Sequence, residues 1–284
     1  MLNFSDFIDQ FRILQNLKKY YLGENYSLKD IEILENFIVY LSKIDIKISN
    51  QLDLVASFYQ NYINHIDRKP LGEFYTPIKI VNHILDGIGY SADSKVFKKT
   101  IIDISCGSGS FLIQCIKRII AFELKRLKVE IISELTFEDA LNLINTIRSL
   151  IYGIDINPIA CILCQINIFY TIFYVIEKIL FFEPSYQVPL FHIMNQNTLE
   201  LSVDQGYDFV VGNPPYIFIR DISKKQKELI EGRDFKTNKG QYDYYQLFLE
   251  IGINLLKQGG VLGYIIPDSL LALSNRKVLR KFDN

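Results

Sequence analysis

Apolar and polar positions along this chain fall into two regimes. Over roughly the first 70 residues, apolar side chains recur at helical spacing, as at Phe4, Phe7, Ile8, Phe11 and Leu14. Further helices are predicted from Leu28 to about Ile46, after a capping signal at residues 27–30, and over residues 53–67. From about residue 100 the pattern changes to short unbroken apolar runs separated by longer amphipathic stretches. The runs at 100–105, 151–154, 191–194, 209–211 and 261–266 read as strands, and the first resembles a strand buried in a parallel sheet. Between them, helices are predicted from the glycine-rich turn at 106–110 to about Leu127, over 137–150, over 159–176, and from about Gln241 with Leu247, Phe248, Ile251 and Leu255 on one face. Strands alternating with helices predict an α/β fold with a doubly wound, mainly parallel sheet. Residues 1–70 are expected to be a helical N-terminal cap and 71–284 the main domain.

Composition narrows this picture only slightly. The 284 residues are 49% hydrophobic and 22% charged, which suits a globular protein with a sizeable core. A net charge of −1 shows no global basic bias, although a local patch can hide in a neutral total. Four cysteines and no signal-like start imply a reducing, cytoplasmic setting. The uncharged stretch at 159–176 is interrupted by Gln165 and Asn167 and lies between two core strands, so it reads as a buried helix rather than a membrane span. Cys161 and Cys164 on it have no second pair at metal spacing and read as small buried hydrophobes; no metal site is expected. His65 likewise has no partner at ligand spacing.

Candidate chemistry concentrates at strand ends. Phe209 to Val211 ends at Gly212, and Asn213-Pro214-Pro215-Tyr216 follows. Two prolines stiffen the backbone and bar it from continuing a ladder. The segment therefore presents an amide, a carbonyl and an aromatic ring at the carboxyl end of a strand, where open α/β sheets bind ligands. The alternative is a proline-stiffened surface turn. Asp103 closes the first predicted strand ahead of Cys106-Gly107-Ser108-Gly109, a strand–glycine loop–helix arrangement suited to a nucleotide. No Lys-Ser/Thr pair follows, so a nucleoside without phosphates fits better. Asp155 ends the second strand, where an acid accepts hydrogen bonds from ribose hydroxyls; its competing use is a helix cap beside Asn157-Pro158. Thr76-Pro77 reads as a helix start, with Thr76 as cap. Residues 220–239 carry seven Lys/Arg against four Asp/Glu and read as a mobile basic loop beside the strand end.

Together, Asn213-Pro214-Pro215-Tyr216, the Asp103–Gly109 turn and Phe74-Tyr75-Thr76-Pro77 resemble the S-adenosylmethionine-dependent adenine-N6 DNA methyltransferases of restriction–modification systems. The helix, Gly259-Gly260 turn and strand at 261–266 fit too, and the tyrosine-rich 241–245 is most similar to the methyltransferase part of fused restriction-methylation enzymes. The resemblance implies a Rossmann-like methyltransferase fold. It implies catalysis by Asn213, Pro214 and Tyr216, with the Asn213 side-chain oxygen and Pro214 carbonyl accepting the hydrogens of the target amine and Tyr216 stacking on a flipped base. It implies S-adenosylmethionine held at its methionine end by Tyr75, Thr76, Pro77, Asp103, Gly107 and Gly109, at its ribose by Asp155, and at its adenine by Ile156 and Asn197. Ile104 and Ser105 depart from the Pro-Ala pair usual in the family, and Asn197 stands where an acid is common.

The family normally continues into an antiparallel strand pair and a target-recognition domain. The sequence given stops soon after the fifth predicted strand, so a second chain or a missing C-terminal segment is expected to read the DNA site, and the strand at 261–266 is expected to have an open edge. The partner implied is double-stranded DNA with a flipped adenine, with no membrane. Two rival readings stay open: the same motif acting on protein glutamine or RNA, and a non-catalytic subunit that binds cofactor or a partner.

Overall fold

The computed structural model describes residues 4–23, 27–43, 76–92, 96–202, 206–238 and 242–267. In these residues the helices are α1 (Phe4–Gln10), α2 (Ile13–Tyr21), α3 (Leu28–Ser42), α4 (Ile78–Gly87), α5 (Ser110–Leu127), α6 (Phe137–Leu150), α7 (Pro158–Thr171), α8 (Phe173–Phe182), α9 (Lys224–Glu231) and α10 (Tyr244–Asn254). The strands are β1 (Ile101–Asp103), β2 (Ile151–Asp155), β3 (His192–Asn195), β4 (Tyr207–Gly212) and β5 (Leu256–Tyr264).

The strands form one sheet in the order β3-β2-β1-β4-β5, and every neighbouring pair is parallel. The predicted doubly wound α/β sheet is therefore observed. Its order reverses at β1: the chain winds outward to β3, then returns to place β4 on the other side of β1. Such a reversal opens a crevice at the carboxyl ends of the two central strands. Pairing of Asp103 with Val211 brings the glycine turn and Gly212-Asn213 to the same level there.

Alternate side chains of the central strands feed two cores. Ile101, Ile151, Ile193 and Val211 pack with the helices on one face, and Ile102, Ile154 and Val210 pack with Tyr244, Leu247, Phe248 and Ile251 of α10 on the other. The first core also takes in the N-terminal helices. The Phe4 ring lies 4.9 Å from Tyr170 and 5.6 Å from Phe173, both edge-on. The predicted helix over 53–67, and His65 within it, lie outside the described residues.

The fifth strand starts earlier than expected, at Leu256, and two helical regions differ in kind. The single helix expected over 159–176 is broken at Ile172 into α7 and α8, bent by 65°. Thr171 Oγ1 donates to the Asn167 carbonyl at 2.7 Å, the local back-bonding that bends helices. Among the described residues no single helix is long and apolar enough to cross a membrane. The loop expected over 220–239 contains α9, opened by a capping box. Ser223 Oγ accepts from the Gln226 N–H at 3.2 Å, and Gln226 Oε1 from the Ser223 N–H at 3.2 Å.

The polar interruptions of α7 now have partners. Fully buried Gln165 donates through Nε2 to Tyr21 Oη at 3.0 Å and to the Phe191 carbonyl at 2.9 Å, and accepts from the Phe191 N–H at 3.2 Å. Tyr21 Oη in turn donates to the Ile193 carbonyl at 2.7 Å. One amide thus ties α2, α7 and the entry to β3. Replacing it by an apolar isostere strands buried donors and acceptors. Gln165→Leu should lower unfolding free energy by about 2–4 kcal/mol, read as a fall in the urea midpoint without a change in slope.

Candidate active site

The crevice is organised by a buried carboxyl. Asp103 ends β1 at 2% exposure, and its Oδ1 accepts the Ser105 N–H at 3.0 Å. Burial pushes its pKa up to about 8; the Ser105 N–H opposes the rise and the neighbouring Asp155 charge adds to it. Against it lies Gly212 at φ +151°, where a Cβ would stand 2.7 Å from Asp103 Oδ1. Glycine is required there by both conformation and space.

The turn after β1 is fastened on three sides. The Cys106 N–H donates to the Ile154 carbonyl at 2.9 Å, the Gly107 N–H to Asp155 Oδ2 at 2.8 Å, and Asn167 Nδ2 to the Ser108 carbonyl at 2.8 Å. Its two glycines do different work. Gly107, at φ +53°, faces open space, so a ligand can approach its backbone. Gly109, at φ +96°, has Cys164 Sγ 2.8 Å from where a Cβ would sit, so its bareness lets α5 close on α7.

Asp155 lies across the turn at the end of β2. Its Oδ1 accepts the Asn157 N–H at 2.8 Å, while Asn157 Oδ1 caps α7 by accepting the Ile159 N–H at 3.0 Å. The capping role weighed for Asp155 therefore belongs to Asn157. Burial raises the Asp155 pKa, and N–H groups of Asn157, Gly107 and Ile156 partly offset this. Ile156 beside it is 57% exposed, a large apolar side chain turned outward at the crevice. Asn197 is occupied locally: its Oδ1 accepts the Leu199 N–H at 3.1 Å and its Nδ2 donates to Glu200 Oε1 at 3.0 Å. The next residue, Thr198, anchors that segment by donating to the Ile104 carbonyl at 2.6 Å.

On the β4 side, Asn213 Nδ2 donates to Thr76 Oγ1 at 3.1 Å. Thr76 was expected to cap the helix that follows. Instead α4 starts at Ile78 after Pro77 with no side-chain cap, because the threonine oxygen is directed to Asn213. Pro77 is exposed, and Tyr75 lies outside the described residues. Ser105 Oγ donates to the Asn213 backbone carbonyl at 3.4 Å, linking the turn after β1 to the loop after β4. Pro214 is buried. Half-buried Tyr216 donates through Oη to the Ile265 carbonyl at 2.7 Å and meets Tyr245 edge-on at 6.2 Å. Thr76, Asp103, Gly107 and Asn213 thus converge on one crevice, with Asp155 and Ile156 on its β2 side. Ser105, Asn157 and Asn167 were missed. Ser105 and Asn167 act through backbone atoms distant in sequence, whereas the Asn157-Pro158 pair was a readable cap signal.

Residues 149–284 match the model of the Eco57I restriction-modification methylase family. The chain is 30% identical over 258 residues to the type II restriction enzyme and methyltransferase RM.Eco57I of Escherichia coli, covering 77% of this chain and 25% of the relative. The chain thus spans about a quarter of that relative's length. Among solved structures it resembles the ATP-dependent type ISP restriction-modification enzyme LlaBIII bound to DNA, with a TM-score of 0.54 and 15% identity over 96% of this chain and 22% of that one. It also resembles the type I restriction-modification methyltransferase subunit from Streptococcus thermophilus, with a TM-score of 0.51 and 16% identity over 99% of this chain and 56% of that one.

The raised Asp103 pKa carries a sign. Between the ordinary carboxylate value and about 8 the folded protein binds a proton that the unfolded chain has released. Stability therefore falls as pH rises through this range. Unfolding free energy should drop by on the order of 2 kcal/mol from pH 5 to pH 8 through this group, and Asp103→Asn should flatten the drop. Urea titrations of both proteins at the two pH values test it.

Proposed function

We propose that the chain is a restriction-modification methyltransferase that transfers a methyl group from S-adenosylmethionine to the N6 amino group of adenine in double-stranded DNA; the match of residues 149–284 to the Eco57I restriction-modification methylase family and the 30% identity to RM.Eco57I support this reading. One observation carries this reading. The nucleoside-type turn after β1 and the Asn213–Tyr216 loop after β4 share the crevice at the reversal point and are joined there by the Ser105–Asn213 bond.

The residues present fit the cofactor. Gly107 leaves open space over its backbone, Asp103 offers a buried carboxyl, and exposed Ile156 offers an apolar face. In this reading Tyr75, Thr76, Pro77, Asp103, Gly107 and Gly109 hold the methionine end, Asp155 the ribose, and Ile156 with Asn197 the adenine. When bound, S-adenosylmethionine supplies an electrophilic methyl group. The chain supplies position and polarity. The bond from Nδ2 to Thr76 Oγ1 holds the Asn213 amide with its oxygen turned away from Thr76. That oxygen and the Pro214 carbonyl then accept the two hydrogens of the target amine. They would concentrate electron density on N6 and aim its lone pair at the methyl group that the cofactor would supply. Tyr216, held by its hydroxyl, keeps its ring in a set plane for a flipped adenine. Target recognition falls, in this reading, to a second chain or a further segment, as RM.Eco57I is about four times as long as the stretch matched.

Calorimetry should show binding of S-adenosylmethionine or its demethylated product, with Asp155→Ala costing about 1.5–3 kcal/mol through loss of a charged acceptor. A folded chain that binds neither would refute the cofactor assignment. With the recognition component supplied, Asn213→Ala should abolish tritium transfer to DNA while leaving cofactor affinity nearly intact. Thr76→Val should lower transfer about tenfold or more by freeing the amide. Transfer to RNA or protein in place of DNA would redirect the substrate class.

A further inference from the structure

One exposed aromatic ring beside the catalytic loop has no assigned use. Phe218 is 56% exposed, two residues beyond Tyr216. Single exposed apolar side chains are ordinary. This one differs in its mounting. Phe218 pairs in an antiparallel bridge with Asp243, the Tyr244 N–H donates to the Ile217 carbonyl at 3.1 Å, and the Asp221 N–H donates to the Phe218 carbonyl at 2.8 Å. The backbone is thus held on both sides of a ring left in water. Its apolar neighbours turn inward: Ile222 is buried and Ile217 packs against the same core. The Arg220 guanidinium lies over the Phe218 ring at 4.9 Å and stays largely exposed, 3.7 Å from Asp221. Exposed Lys224 and Lys225 follow at the start of α9.

A rigid apolar ring flanked by cations matches a nucleic acid strand, which offers base faces between phosphates. We propose that Phe218 is a base-stacking residue, packing on a nucleobase next to the target adenine while Arg220 holds an adjacent phosphate. The proposal rests on the DNA reading above and adds a positioning residue outside the Asn213–Tyr216 segment. Stacking would support the unstacked neighbours of a base drawn into the crevice.

The chain contains no tryptophan, so Phe218→Trp installs the one tryptophan, whose emission can be excited apart from that of the tyrosines. The probes are a duplex with one mismatched adenine, which is cheap to unstack, and heparin, a polyanion without bases. Saturating duplex should quench the tryptophan about twofold or more, because the indole meets a base face. Heparin should leave emission unchanged. Phe218→Ala should weaken duplex binding about 5–100-fold while leaving heparin affinity unaltered. Duplex binding without quenching, or equal quenching by heparin, would overturn the stacking role alone. Tryptophan emission already shifted to the blue and silent to DNA would place the ring against protein and also overturn it. Failure of the wild-type chain to bind any duplex with the recognition component supplied would overturn it together with the DNA reading.

Discussion

The contact between the Asp103 carboxyl and the bare Cα of Gly212 sets the geometry of the crevice. A carboxyl can lie this deep between β1 and β4 only because nothing projects from Gly212. Burial at this depth raises Asp103's affinity for a proton, and the β1–β4 pairing brings the two candidate loops to one level. At the opposite end of the strand pair the seam is closed by charge. Asp208 accepts from Lys99 Nζ at 2.7 Å, Lys257 Nζ at 3.0 Å, and the Thr100 N–H and Oγ1, each at 3.0 Å. Partial burial works against the Asp208 charge, but these donors prevail and hold its carboxyl well below the usual range. Steric fit thus sets one end of the seam and charge the other.

Helix α7 is the backplane behind this seam. Its first turn is capped by Asn157, next to the bond that holds Asp155. Cys164 and Asn167 meet the glycine turn, and Gln165 ties in α2. The N-terminal helices, read from sequence as a separate cap, share their aromatic core with α7 and α8. A disturbance at Phe4 or Tyr21 therefore has a packed route to the turn that precedes α5.

Legibility followed how local each signal was. β1, β2 and β4 were readable because strands buried on both faces need unbroken apolar runs, and α6 because its period and Thr136 cap agree. The start of β5 was not. Leu256 to Gly260 looks like a turn, yet it pairs beside Tyr207, with a register irregularity before Phe209. Site residues divided similarly. Asp103, Gly107 and Asn213 stand at strand ends, where sequence order alone places them. The tasks of Thr76 and Asn197 depended on which polar group lay nearby after folding. Thr76 met Asn213, 137 residues away, while Asn197 met its own next turn. Ser223-Gln226 was a readable capping box that the surrounding charges obscured.

The sheet order also has a consequence during synthesis. β1 is the central strand, but one of its two neighbours, β4, lies 108 residues further on, the separation between Thr100 and Asp208. At ribosomal speed that interval lasts roughly 5–20 s. During it, β2 and then β3 become available to pair on one side of β1, while Ile101 and Ile102 keep an open hydrogen-bonding edge on the other. The nascent chain therefore passes through a half-sheet whose bare edge is the future seam of the candidate site, an edge open to pairing with other chains until β4 is made.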